Sequence, residues 1–227
     1  MAEPFSVVSG ALGIAALFTK CIMLDTLNLR LSRWGDAVGI YDKPYFRDSQ
    51  TTDPYAQQAG AILAQIEQLF GKIEEASKRY ILGKSKKELE VLKIENLDLV
   101  NRNVHNKLLD ASIWYRQKCT SIVKKTKWAL YDNKNFEKLV RHVTELTEQL
   151  EKVWPKDDLD PILMNMARME IEEITDAPSL EVLSEVATDT DSLLSESAAQ
   201  RLQSLETHNE VHNAYIQDNA KRRSTGT

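Results

Sequence analysis

FSVVSGALGIAALFTKCIML, residues Phe5–Leu24, decides how the rest of the chain is read. The stretch is almost wholly apolar, and its one charge is Lys20. At about 1.5 Å of rise per residue, about 20 residues of helix match the roughly 30 Å hydrocarbon core of a bilayer. The preceding MAEP holds Glu3 and no Lys or Arg, which does not fit the positive start of a secretory signal. A permanent span fits poorly as well: Ser9, Gly10 and Gly13 dilute the hydrophobicity, and Lys20 would have to snorkel to the interface. Two compatible readings remain. The helix is buried in a core, or it is sheltered at rest and exposed on activation. On the second reading Phe5, Val7, Val8, Leu12, Ile14, Leu17, Phe18, Ile22 and Leu24 are the side chains that enter lipid.

Beyond Leu24 the chain reads as a charged helical protein. Of its 227 residues 42% are hydrophobic and 28% charged, with only 8 Gly and 6 Pro, and no alternating run bounded by turns predicts a strand. Leu24, Leu27, Leu31, Trp34 and Val38 recur at steps of three and four, one stripe of an amphipathic helix whose end Gly35 and Gly39 weaken. Residues 41–54 are a loop, and Asp53-Pro54 reads as an N-cap followed by proline at the first helical position. The next helix carries Ala59, Ile62, Ile66, Leu69, Ile73 and Tyr80 on one face and stops at Gly83. Ser85 and Glu88 form a capping box for a further helix. A long basic helix is expected from about Asn103 to Tyr131, then one presenting Phe136, Val140, Val143, Leu150 and Val153 and closed by Pro155. Pro161 is expected to start the following helix, and the acidic stretch after Pro178 remains helix-compatible. The fold class is therefore all-α: a single multi-helix bundle over 1–205 with a polar tail over 206–227. Trp34, Tyr80 and Trp128 are expected core residues.

Charge and composition narrow the function classes. Residues 154–227 hold 6 Lys/Arg against 15 Asp/Glu, whereas residues 1–153 hold 23 against 19, so a basic-leaning body precedes an acidic part. In the basic stretch 101–128, Lys118, Lys124, Lys125 and Lys127, together with Lys20, are candidates for lipid head-group contact; the plainer reading is a solvated helix face. Nucleic acid is a poor partner for an acidic chain without a recognition motif. Cys21 and Cys119 read as reduced thiols of a cytosolic protein. No glycine-rich phosphate loop or zinc-spaced Cys/His set is present, and His208 and His212 lack the context of a metal site. Glu170, Glu172 and Glu173 read as a solvated carboxylate face. No cofactor, metal or catalytic residue is expected, and the chain does not read as an enzyme.

Several segments, in order along the chain, resemble the HeLo domain of fungal prion and heterokaryon-incompatibility proteins. They are Glu3-Pro4-Phe5 with Ser9–Leu12, Arg30–Val38 (RLSRWGDAV), Ser77–Tyr80 (SKRY), Lys124–Asp132 (KKTKWALYD), Glu170–Leu180 (EIEEITDAPSL) and, more weakly, Ser197–Gln200. The resemblance implies an all-helical, often dimeric domain whose N-terminal helix is a latent membrane segment. It implies that an amyloid-forming region triggers release of that helix, followed by membrane damage and cell death. The implied partners are a second copy, related HeLo or amyloid-bearing proteins, and membrane lipids, with relocation from cytoplasm to membrane on activation. Two departures from the family pattern stand out. The segment between the apolar helix and RLSRWGDAV is shortened, so the first two helices are expected to be fused or docked differently. Thr207–Thr227 does not form two matching amyloid segments, which points to an effector body without its own trigger, or to a regulatory module that restrains intact family members.

Overall fold

The computed structural model describes residues 5–40, 42, 52–82, 99–115 and 133–207; the side chains of 5–18, 21, 72–82, 109–115 and 133–135, and of Lys156, are outside that description. Within it the chain forms seven α-helices and no strand: α1 (Phe5–Ala37), α2 (Pro54–Leu82), α3 (Leu99–Tyr115), α4 (Asn133–Glu151), α5 (Lys156–Ile171), α6 (Ala177–Val186) and α7 (192–207). Of the two outcomes expected at the N-terminus, fusion or altered docking, the structure shows fusion into one continuous helix. Phe5–Leu24 and the following leucine stripe share α1, 33 residues long.

The ends of the helices follow from local chemistry. α1 closes where Gly39 adopts a left-handed φ of 68°. Gly39 N–H then reaches Asp36 O and Ile40 N–H reaches Gly35 O, so two terminal carbonyls are satisfied. α2 opens as Asp53-Pro54 predicts, with Ala56 N–H donating to Asp53 Oδ1 at 2.8 Å. α6 uses the same device: Ser179 N–H donates to Asp176 Oδ1 at 3.0 Å, ahead of Pro178. The expectation for Pro161 is corrected. α5 begins at Lys156 behind Pro155, and Pro161 lies inside it. Its missing N–H would have met the carbonyl of Asp157, an exposed residue in the first turn, where water can take over.

Three apolar clusters build the core, and α1 contributes to each from a different side. Ile22 and Leu29 pack with Val104, Leu108, Leu180, Leu183 and Leu194. Leu24 and Leu27 meet Phe136, Leu139, Val140 and Val143 of α4. Trp34 and Val38 join Ala59, Ile62, Ile66, Leu150, Leu159 and Leu163. Trp34 is buried and meets Trp154 edge to face, ring centroids 5.8 Å apart. α1 is thus the axial helix of the bundle, in contact with α3, α4, α5 and α6. Tyr80 and Trp128, expected in the core, lie outside the described side chains.

Candidate functional site

A helix packed from several sides must bury polar residues too, and among its described side chains α1 carries five of them between its apolar stripes: Asp25, Thr26, Arg30, Ser32 and Arg33. Each finds a partner. Thr26 Oγ1 lies 2.7 Å from Thr190 Oγ1 in the turn between α6 and α7. Ser32 Oγ donates to the Asn28 carbonyl of its own helix. Arg30 donates through Nε and Nη2 to both carboxylate oxygens of Glu151 at the end of α4, 2.9 and 2.6 Å, and through Nη1 to the Thr190 carbonyl at 2.8 Å. Arg33 sits between two carboxylates: Nε and Nη2 face Glu170 of α5, and Nη1 and Nη2 meet Asp191 at 3.0 and 2.8 Å. Asp25 closes the far end of the set, its Oδ2 2.5 Å from His105 Nδ1 of α3. One helical segment of nine residues is thereby fastened to four other parts of the bundle.

Electrostatics follow from geometry and burial. The Arg33, Glu170 and Asp191 side chains are each about 1% exposed, so the pairs form in a medium that screens weakly. Burial opposes the Arg33 charge, but the carboxylates of Asp191 and Glu170 outweigh it and hold the guanidinium above its ordinary pKa. Glu170 is pushed up to about 7: burial raises it more than Arg33 lowers it, and Asp191 and Asp36 raise it further. One guanidinium cannot fully neutralise two buried carboxylates. In the second pair, burial raises the Asp25 carboxyl against the pull of His105. Burial disfavours the His105 imidazolium, yet the hydrogen bond and charge of Asp25 leave its pKa above the usual value.

Asp191 has a second role that fixes the triad in place. Its Oδ1 also accepts from Leu194 N–H at 3.2 Å, so it caps the start of α7 while it binds Arg33. Glu170 corrects the solvated-face reading. Of the three glutamates, Glu172 and Glu173 are exposed, but Glu170 turns inward because Arg33 is there to receive it. The signal was present in outline: Asp25, Arg30 and Arg33 lie on a helix whose remaining positions are mostly apolar.

The residues expected to meet lipid divide in the structure. Ile22 and Leu24 are buried in two of the core clusters. Lys20 is half-buried, with Nζ 5.2 Å from the Phe136 ring centre, a cation–π distance. It lines an open groove of about 690 Å³ between α1 and α4 with Met23, Phe136, Val140 and Arg141. The side chains of Phe5, Val7, Val8, Leu12, Ile14, Leu17 and Phe18, and residues Lys118, Lys124, Lys125 and Lys127, lie outside the description. Among the described residues no helix is long and apolar enough to cross a membrane, and no group of three or more His, Cys, Asp or Glu could hold a metal ion.

Comparison with known proteins places this architecture. Residues 22–183 match HeLo, the family described as prion-inhibition and propagation. The chain belongs to the HeLo family. It is 35% identical to heterokaryon incompatibility protein s of Podospora anserina over 97% of this chain and 82% of that protein. It is 37% identical to heterokaryon incompatibility protein S of the same fungus over 90% and 77%. The solved HET-s N-terminal domain superposes with a TM-score of 0.69 at 35% identity, covering 85% of this chain and 98% of that one. A double mutant of that domain gives 0.71 at 38%, covering 82% and 86%. The matched segment starts at Ile22, so it contains the whole set of polar fasteners on α1. This HeLo protein is thus related to heterokaryon incompatibility proteins and shares their all-α fold.

Proposed function

We propose that this protein acts in fungal self/non-self recognition as a cell-death effector that damages membranes when helix α1 leaves the bundle. The observation that carries the reading is the make-up of α1. A bilayer-length apolar segment, Phe5–Leu24, runs without a break into a segment bolted to the bundle by buried ion pairs. Release of the second half frees the first. A ligand or partner achieves this only if it binds the open form better than the closed one. The names of the relatives support the setting of heterokaryon incompatibility. The proposal includes a homodimer at rest in the cytoplasm, relocation to membranes, and contact of Lys20 and the basic stretch 101–128 with anionic head groups.

Dye release from anionic liposomes tests it. The full-length chain should cause leakage, a chain lacking residues 1–24 should not, and Leu12→Lys should abolish leakage because a charge at mid-bilayer is costly. Undiminished leakage by Leu12→Lys would refute insertion of this helix. A second reading, favoured by the depth of the fastening around Arg33, is a regulatory module that pairs with other HeLo proteins and restrains them. Stable binding to a family member without any leakage would favour it.

A further inference from the structure

We propose that closing α1 onto the bundle takes up protons, so that the fastening set is a latch tightened by mild acid and loosened by alkali. As a control on helix release this rests on the effector reading; as a property of the closed fold it stands apart from it.

The geometry carries the argument. Around Arg33 converge Glu170 from α5 and Asp191 from the α6–α7 turn, and Asp36 of α1 adds its charge against Glu170. The neighbouring cation, Arg30, faces Asp191 as well, but it is shared with Glu151 and Glu148 of α4. One guanidinium, Arg33, thus serves two carboxylates, Glu170 and Asp191, in a site closed to water, and a proton is the smallest ion that can correct the deficit. At the other end Asp25 and His105 face each other, both buried, with His105 Nε2 making no hydrogen bond. Both ends lie on α1, and both partners come from other helices. Moving α1 away returns every one of these groups to water together.

The sign is the same at each end. Glu170 titrates near 7 when closed against an ordinary 4.5, so between those values the closed form holds a proton that the open form has lost. The stability it contributes falls as pH rises across that window. His105 is also raised in the closed form, so its contribution is complete below about 6.5 and is lost as pH rises beyond. Raising the pH from 5 to 8 should therefore increase the opening constant on the order of tenfold to a hundredfold.

Urea unfolding of the full-length protein, followed by tryptophan fluorescence between pH 5 and 8, reads this directly. The wild type should lose stability as pH rises, and Glu170→Gln, which keeps the shape but cannot titrate, should flatten much of the slope. Stability that rises with pH, or a slope unchanged by both Glu170→Gln and Asp25→Asn, would overturn the proposal. Proton NMR of the histidine rings gives a reading that needs no variant. His105 should titrate above the usual histidine value, and titration at or below it would count equally against the latch. Liposome leakage at pH 6 and 8 separates the two ideas. A normal unfolding slope with no leakage at either pH sinks the effector reading and leaves the proton linkage intact. Leakage without the slope does the reverse.

Discussion

Helices α1 and α4 pack against each other and are both rich in charge, yet they use charge in opposite ways. α4 is a one-stripe helix: Phe136, Leu139, Val140, Val143 and Leu150 are buried, while Glu137, Lys138, Arg141, His142 and Glu145 face water. These residues cost little because they stay in solvent; of the buried polar residues of α4, Thr147 is satisfied by the Val143 carbonyl of its own helix. α1 between Ile22 and Val38 has no solvent face of comparable width, and Asp25, Arg30 and Arg33 are as buried as the leucines beside them. A polar face opposite an apolar stripe therefore does not say which way a helix is turned. What decides is whether a partner of opposite charge awaits it elsewhere in the chain.

The comparison is broken most severely at Arg33. Arg33→Ala leaves Glu170 and Asp191 buried with no cation between them, and such a loss destabilises by about 3–5 kcal/mol. Urea unfolding at pH 7 should show it as a shift in midpoint without a change in slope. If the variant is as stable as the wild type, burial of the triad is not what holds α1. In this bundle it is the strongest single handle on the seating of α1, because Asp191 also caps α7 and loses half of its purpose.

A smaller effect is expected at Arg30. Its side chain is 11% exposed and that of Glu151 20%, so water can partly replace the lost partner. Arg30→Ala should cost about 1–3 kcal/mol, the range for leaving a buried hydrogen-bonding group unsatisfied, here in part the Thr190 carbonyl. Measured beside Arg33→Ala, it tests whether cost follows exposure along one helix. Equal losses at the two positions would argue that position on α1, and not exposure, sets the energy.

The contrast also explains what could be read from the chain alone. α2 and α4 were legible because their apolar residues recur every three or four positions and their starts and stops carry local signals, Asp53-Pro54 and Pro155 among them. The three-way role of α1 was visible only in part. Its apolar stripe predicted one buried face, but the burial of the other faces depends on Glu170 and Asp191, 137 and 158 residues away from Arg33. Nothing local in EIEEIT distinguishes the inward Glu170 from the outward Glu172 and Glu173. Pro161 misled for a related reason. A proline signals a helix start when its N–H has no use, and that condition also holds inside α5, where the orphaned carbonyl lies in an exposed first turn. The shortened segment left fusion or different docking open, and the continuity of α1 follows from the absence of any Gly or Pro between Lys20 and Trp34 to break it.

The smallest effect is the control that gives the others meaning. Lys152, just beyond α4, lies 3.8 Å from Glu148 one turn back, with the two side chains 62% and 47% exposed. This is an ion pair of the same formal kind as Arg33–Glu170, but both members keep most of their water. The attraction is screened and the entropy of two long side chains opposes it, so pairs of this kind contribute about 0.2–1 kcal/mol or nothing measurable. Lys152→Ala should move the unfolding midpoint by no more than about 0.5 kcal/mol, and added salt should shrink the difference further, since salt screens exposed charges more than buried ones. A loss comparable to that of Arg33→Ala would mean that charge removal itself, through the net balance of the chain, governs stability. A near-zero loss leaves desolvation as the variable: the Lys152–Glu148 pair decorates a surface, whereas the buried pairs of Arg33 hold the axial helix in the bundle.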